Sequence, residues 1–380
     1  MKILIAPNSF KECASSVDVA DFIYHSLKKN KLNQLIRFPI SDGGDGFLDV
    51  CKENFELRIS HGRIRSCYDN KFINIRAGFD KKSKQLFLEV ADFIGLRTIP
   101  SKYRKPLKLS SENFGGYLKK VVNKKFVKNK SLKIIVGIGG TGTNDLGLGL
   151  CKPFGLRLFD RTGNELEIKP VNFPFVDKME LPPKTEQGID VVLDVNIPLC
   201  GKSGTSKIFA KQKGANSNEV AKLESGIKNI LKVLKRDHHI DFINMQIGAG
   251  GGISLGLILL FNVRIRTSKN FLIERLKLEP KIKSADVVIT GEGKFDEQSF
   301  MNKATGIVVT EALKRNKQVI LIVGSNEMKQ KDFKSKSLMI FELSSIFNSK
   351  EKAIKYYKRG INKIISTIYP DTRCSGNRFC

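Results

Sequence analysis

Tryptophan is absent from this chain of 380 residues, aromatic residues make up only 8% of it, and histidine occurs four times. His25, His61, His238 and His239 form neither a metal-binding triad nor a His-x-x-x-His helix face, so catalytic proton transfer falls to carboxylates or lysines. The seven cysteines are scattered, and no two stand at the Cys-x-x-Cys spacing of a zinc site or redox pair. They read as reduced thiols. The longest greasy stretch, Ile253 to Val263, is about half the ~20 residues of a membrane-spanning helix and follows a glycine run, so it is expected to be a buried helix. Residues 1 to 6 read as a strand entering a polar turn, without the apolar stretch and cleavage site of a signal peptide, and a cytoplasmic location is expected. No Gly-x-x-x-x-Gly-Lys-Ser/Thr occurs; Gly201-Lys202-Ser203 lacks the upstream glycine, which excludes a Walker-type nucleotide site.

What is present belongs to a soluble folded protein: 41% hydrophobic and 27% charged residues, on a chain long enough for two domains with proper interiors. Wholesale disorder, collagen and a disulfide scaffold are excluded. Lys and Arg number 66 against 38 Asp and Glu, a net charge of +28. The lysines are spread along the chain without an arginine-rich or aromatic-interleaved basic motif, so a generally basic surface is favoured and nucleic acid is an unlikely partner. Such a field assists small anionic substrates.

Short apolar strands read at Ile3–Ala6, Leu35–Ile40, Leu57–Ser60, Val287–Thr290, Val319–Val323 and Leu338–Phe341, alternating with helical patterns such as Val17 to Leu27 and Ala304 to Leu313. Alternation at both ends implies one parallel sheet assembled from the two termini. The middle reads as a hairpin over 72–91, helices at 114–126 and about 218–236, short strands over 157–176, and strands at Ile134–Ile138 and Val191–Asp194. The expected fold is α/β with two domains: residues 1–71 plus 268–380 form a parallel-sheet domain, and 72–267 an inserted α/β domain.

The chemistry-bearing residues sit after these strands, where an open α/β sheet presents its ligand site. They are Pro7-Asn8-Ser9-Phe10-Lys11, Ser41-Asp42-Gly43-Gly44-Asp45-Gly46, and Gly137-Ile138-Gly139-Gly140-Thr141-Gly142-Thr143-Asn144-Asp145. Asp194 to Leu199 with Gln212-Lys213-Gly214-Ala215, Gly248 to Gly252, and Thr290 to Gln298 complete the set. Glycines at 137–142 let backbone amides turn toward an anion, and Thr141 and Thr143 add hydroxyls, so phosphate binding is a natural use. Lys11, Lys213, Lys294 and Lys303 can neutralise a transferring phosphoryl group. Asp42, Asp45, Asp145, Asp194, Glu292 and Asp296 can hold a hydrated metal or accept a proton. The same glycine loop also contains Gly-x-Gly-x-x-Gly, with Asp160 ending a possible strand about twenty residues on, as in dinucleotide-binding folds. Pro153, which would stop the following helix, and the polar Asn144-Asp145 pair weaken that alternative.

In this order the segments Ala-Pro-Asn-Ser-Phe-Lys, Asp-Gly-Gly-Asp-Gly, Gly-Ile-Gly-Gly-Thr-Gly-Thr-Asn-Asp, Asp-Val-Asn-Ile-Pro-Leu, Gln-Lys-Gly-Ala, Gly-Ala-Gly-Gly-Gly and Thr-Gly-Glu-Gly-Lys-Phe-Asp-Glu-Gln resemble the type I glycerate kinases of bacteria, from about residue 3 to 325. The resemblance implies ATP-dependent phosphorylation of D-glycerate, usually to 2-phosphoglycerate. It also implies a cleft between a Rossmann-like domain and a second α/β domain. Ser9, Lys11, Asp42, Gly139, Asn144, Asp145, Asp194, Lys213, Glu292, Asp296 and Gln298 fall on the family's characteristic positions. Departures from the pattern are Asn8 for an Asp, Glu12-Cys13-Ala14 for Gly-Ser-Leu, Asp45 for Glu, Phe47 for Thr, Gly142 for Ala, Ile197 for Asn and Asn302 for Gly.

On this basis Lys11, Asp194 and Lys213 are expected to be catalytic, and Ser9, Lys11 and Asp45 to bind substrate. Gly139, Gly140, Thr141, Thr143, Asn144, Gly291 and Lys303 are expected to bind ATP, and Asp42, Asp296 and Glu292 to hold Mg²⁺. The protein is expected to be a monomer or homodimer with no membrane partner. Two alternatives remain open: an NAD(P)-dependent oxidoreductase using residues 137–142, and a drifted, non-catalytic polyanion-binding member.

Overall fold

The computed structural model describes residues 1–10, 13–32, 34–123, 132–300, 303–328 and 335–370, with the backbone alone at Gln298. Two compact units emerge, Met1–Asp42 with Ser268–Cys380, and Gly43–Thr267. The first unit opens with strand β1 (Ile3–Ile5), helix α1 (Ser16–Lys29) and strand β2 (Leu35–Arg37). The second contains α2 (Phe47–Asn54), β3 (Arg58–Arg65), β4 (Phe72–Asp80), β5 (Gln85–Glu89), α3 (Ala91–Ile94), α4 (Glu112–Asn123) and β6 (Lys133–Gly137). It continues through β7 (Arg157–Phe159), β8 (Glu165–Leu166), β9 (Lys178–Glu180), β10 (Gly188–Leu193) and β11 (Asn262–Thr267). The chain then returns to the first unit for β12 (Val287–Phe295), β13 (Gln318–Asn326) and β14 (Leu338–Glu342).

The first unit's sheet has the order β14-β13-β12-β1-β2, with parallel pairing throughout. Ile3, Leu4 and Ile5 are fully buried, as expected of a parallel strand covered on both faces. Helix α1 begins at a capping box in which the Ser15 hydroxyl accepts the Asp18 amide N–H and the Asp18 carboxylate accepts that of Ser15. Val19, Ala20, Ile23 and Leu27 form its buried stripe. From β1 the chain steps through α1 to β2 on one side, whereas from β12 it steps to β13 on the other. The topological switch point, the usual ligand position in an open α/β sheet, therefore lies between β1 and β12.

The second unit's main sheet runs β11-β10-β6-β5-β4-β3, with β5, β6, β10 and β11 parallel and the β3–β4–β5 end antiparallel. A separate sheet has the order β8-β7-β9. A large apolar core including Phe93, Phe114, Ile134, Val136, Leu148 and Phe261 surrounds the main sheet.

Several sequence expectations shift. Residues 43–71 belong to the second unit, because β3 pairs with β4 from Arg58↔Phe79 to Arg65↔Phe72 instead of joining the terminal parallel sheet. The buried stretch from Ile253 divides into the helix Ala249–Leu260 and β11. Strand β12 runs past Thr290 to Phe295, so Gly291 lies within a strand. The expected helix at 114–126 is α4 as far as Asn123, its remainder lying outside the described residues. Among the described residues no helix is long and apolar enough to cross a membrane.

Candidate active site

In the first unit the switch point gathers polar groups at the carboxyl ends of β1 and β12. Asn8 follows β1 and is 6% exposed; its backbone N–H donates to the Gly291 carbonyl across the two strands at 2.8 Å. Its side-chain oxygen accepts the Ser9 amide N–H at 2.8 Å, which turns the amide Nδ2 toward Asp42 Oδ2 at 3.4 Å. The Asp42 carbonyl is held by the Ser268 hydroxyl at 2.9 Å. Glu292, 6% exposed, lies in the same field: burial pushes its carboxyl up to about 7, with Asp42 and Asp296 adding to the rise and the Ser299 hydroxyl and Lys303 opposing it. Lys303 immediately precedes the helix Ala304–Leu313 and stands 3.8 Å from Asp296 Oδ1, while Lys294 stands 3.4 Å from Asp296 Oδ2. Glu292 Oε1 and Asp296 Oδ1 are buried and accept no hydrogen bond.

In the second unit three segments converge at the carboxyl ends of β6 and β10. The Gly139 N–H donates to the Gly43 carbonyl at 2.9 Å. A Cβ on Gly139 would stand 2.5 Å from Gly44 Cα and 3.0 Å from Asp194 Oδ2, and one on Gly140 would stand 2.7 Å from Asp45 Oδ1. Asp45 also pairs with Arg97 at 3.2 Å. Only the absence of side chains at Gly139 and Gly140 lets the 43–46 turn, the 139–145 turn and Asp194 come this close.

Beyond Gly140 the loop turns inward. Thr141, Thr143, Asn144 and Asp145 are buried, and the Gly142 N–H is taken by the Ile94 carbonyl. Asp145, fully buried, accepts the Ser111 amide and hydroxyl at 2.7 Å each and the amides of Gly147 and Gly149, so it organises the loop's interior. Asn144 donates to the Ser206 hydroxyl at 2.9 Å. Lys213, 3% exposed, donates to the Thr143 carbonyl at 2.6 Å and approaches the Thr141 hydroxyl at 3.4 Å. Burial lowers its ammonium pKa to about 8, against the pull of Asp145 and Asp194. Gly250, Gly251 and Gly252, all left-handed, back the loop from behind: a Cβ on Gly251 would stand 2.1 Å from the Thr143 carbonyl oxygen. This segment is a structural support.

The expected residues thus divide. Asn8, Asp42, Glu292, Asp296 and Lys303 share one neighbourhood, and Asp45, Gly139, Gly140, Asp194 and Lys213 another. Gly291 is a strand residue whose carbonyl accepts the Asn8 N–H and the Thr305 hydroxyl, and a Cβ there would stand 2.0 Å from the Ile322 carbonyl oxygen. Lys11 lies outside the described residues. Asp42, Asp296 and Glu292 do not form a ready-made chelate: among the described residues no group of three His, Cys, Asp or Glu side chains is placed to hold a metal ion. Asp160 accepts the amides of Thr162 and Asn164 in the β7–β8 turn, in a sheet apart from β6, whose parallel neighbours are β5 and β10. It does not hold the position a ribose-binding acid needs, and the dinucleotide alternative loses its second element. Sequence reasoning passed over Glu89, Ser111, Ser206 and Arg97; an acid inside the apolar run Leu86 to Val90 was the one available signal.

In each unit carboxylates and lysines gather at the carboxyl ends of parallel strands, where an open α/β sheet presents its ligand site. The profile of the Glycerate kinase family matches residues 3–372. A glycerate kinase of Haemophilus influenzae is 33% identical over 331 residues, covering 85% of this chain and 86% of that protein. A glycerate 2-kinase of Escherichia coli K12 is 30% identical, covering 86% and 85%. A crystal structure assigned as a glycerate kinase 2 from Salmonella typhimurium LT2 superimposes with a TM-score of 0.72 at 27% identity, covering 98% of this chain and 99% of that one. The chain belongs to the glycerate kinase family and is an enzyme of the kinase class.

Proposed function

We propose that this enzyme transfers the γ-phosphoryl group of ATP to the 2-hydroxyl of D-glycerate, giving 2-phosphoglycerate and ADP, with Mg²⁺. Membership of the family supports the reaction class. The observation that carries the reading is the grouping of Asn8, Asp42, Glu292, Asp296 and Lys303 at the switch point of the first unit.

Mg²⁺ takes oxygen ligands and keeps several waters, binding through one or two carboxylates plus phosphate oxygens, so it needs no three-carboxylate cage. The buried oxygens Glu292 Oε1 and Asp296 Oδ1, which accept no hydrogen bond, suit this role together with Asp42. When bound, the ion neutralises charge on the phosphates during transfer. Lys303 adds positive charge beside Asp296. Ser9, Lys11 and Asp45 receive glycerate, and the 139–145 turn meets the ATP phosphates at Gly140, its one residue that is not buried. Asp194 takes the proton of the 2-hydroxyl as that oxygen bonds to the γ-phosphorus and the bond to the ADP oxygen breaks. Lys213 lies in the field of Asp194.

Incubation with ATP, Mg²⁺ and D-glycerate, with ADP release coupled to a spectrophotometric readout and the product resolved by phosphorus NMR, tests the reading. Glycerate-dependent ADP release with a 2-phosphoglycerate signal is expected. Absence of glycerate-dependent release overturns the reading, and a 3-phosphoglycerate signal overturns the assigned hydroxyl.

A further inference from the structure

Glu89 closes β5 with only 1% of its surface exposed, and no step of the proposed reaction uses it. Its Oε1 accepts the Gly46 amide N–H and its Oε2 that of Leu48, each at 2.9 Å. These amides open α2, whose N-cap residue is Gly46 and so brings no capping side chain. A carboxylate 43 residues away supplies the cap, at the helix end where negative charge is favoured. The turn held in this way is bracketed by two left-handed glycines, Gly43 at φ +94° and Gly46 at φ +84°, and glycine keeps the most backbone freedom of any residue. Between them sits Asp45, facing Gly140 and paired with Arg97.

We propose that Glu89 is a positioning residue of this enzyme: without touching substrate, its carboxylate latches the 43–46 turn and sets where Asp45 stands against Gly140. The inference rests on the reading of Asp45 as a glycerate-binding residue.

A carboxylate latch holds two amides only while both oxygens accept. Burial, followed by the nearby Asp92 and Asp45, pushes Glu89 up to about 7 against the pull of its two amide bonds. The charges acting on it are Asp92 from α3 and Asp45 from the turn; Arg76 of β4 in turn binds Asp92 at 2.9 Å and Asp49 of α2 at 2.7 Å. Above about 7 the latch is closed; below it, a proton occupies one oxygen and an amide loses its acceptor. Fold stability moves the other way. A carboxyl pKa raised in the folded state means that the folded protein binds more protons than the unfolded chain, so this group's contribution improves as pH falls from about 7 toward the ordinary value of 4.5. Glycerate binding and stability therefore diverge on the acid side, which a merely structural Glu89 would not produce.

The test uses the full chain, unmodified and as Glu89→Gln and Asp45→Asn, measuring kcat, both KM values and thermal midpoints across pH. Hydrogen exchange of the Gly46 and Leu48 amides in the unmodified protein, corrected for intrinsic rate, accompanies it. Expected are a glycerate KM that rises and an amide protection that falls as pH drops through about 7. Glu89→Gln should raise the glycerate KM about 10-fold, leave the ATP KM little changed and lack the acid limb. If Glu89→Gln fails to fold, exchange decides: protection constant through that pH overturns the latch. A wild-type glycerate KM and pH profile in Glu89→Gln, beside a raised KM in Asp45→Asn, overturns the latch and leaves the proposed function standing. An unchanged KM in Asp45→Asn overturns the role of Asp45 and the latch together.

Discussion

Replacing Gly139 with alanine adds one methyl group where two turns of the second unit meet. Its carbon would stand 2.5 Å from Gly44 Cα and 3.0 Å from both the Gly44 nitrogen and Asp194 Oδ2. Carbon atoms pack at ~3.5–4.0 Å, so the turns must part by about 1 Å. The Asp194 carboxylate can turn aside, but the nearest atoms are the Gly44 backbone, which no side-chain rotation relieves. Overpacking of this kind costs ~1–3 kcal/mol, which a two-unit protein of this size can survive. Catalysis is less tolerant, since a displacement of about 1 Å at positioning groups costs about 10²-fold. Gly139→Ala should therefore keep its circular dichroism spectrum, lose a few degrees of thermal midpoint, and fall about 10²-fold in kcat/KM in the coupled ADP assay. Gly116→Ala is the control: nothing lies within 4 Å of its added carbon, and it sits in α4, where alanine is preferred by ~0.8–1.0 kcal/mol. It should be as active and at least as stable as the unmodified protein. Normal activity in Gly139→Ala would refute the claim that the close approach of the 43–46 turn, the 139–145 turn and Asp194 serves catalysis.

Asp194→Asn should lower kcat by ~10²–10⁴ with little effect on ATP affinity; a near-normal kcat would make Asp194 a turn residue ahead of Pro198. Asp42→Asn should raise the Mg²⁺ concentration needed for half-maximal rate, and an unchanged Mg²⁺ dependence would shift the ligand role to Glu292 and Asp296. Lys213 has its pKa lowered from 10.5 to about 8 by burial, so between these values the unfolded chain binds more protons and stability should rise with pH. Thermal midpoints of Lys213→Met should lack that alkaline rise, and its persistence in the variant would assign it elsewhere.

Much of the fold was legible because it follows local rules. Buried apolar runs at Ile3–Ile5 and Val287–Ile289 mark parallel strands, and the helical pattern of Val17 to Leu27 marks α1. The boundary between the units was misread because β3 alone, with its exposed and polar pattern, carries no sign of its partner. Nothing in Arg58–Arg65 announces that it pairs with Phe72–Asp80.

The sequence by itself determined most of the strands, the glycines at 139 and 140 and the acids that follow the strands, because each depends on neighbours a few residues away. Tertiary structure alone decided that Lys213 is buried under the Thr143 carbonyl, 70 residues distant, that Asp145 is spent on Ser111 and its own loop, and that Glu89 caps a helix 43 residues upstream. The reason is physical: a buried charge or backbone amide takes whichever partner packing brings to it, and sequence periodicity carries no record of which one that is.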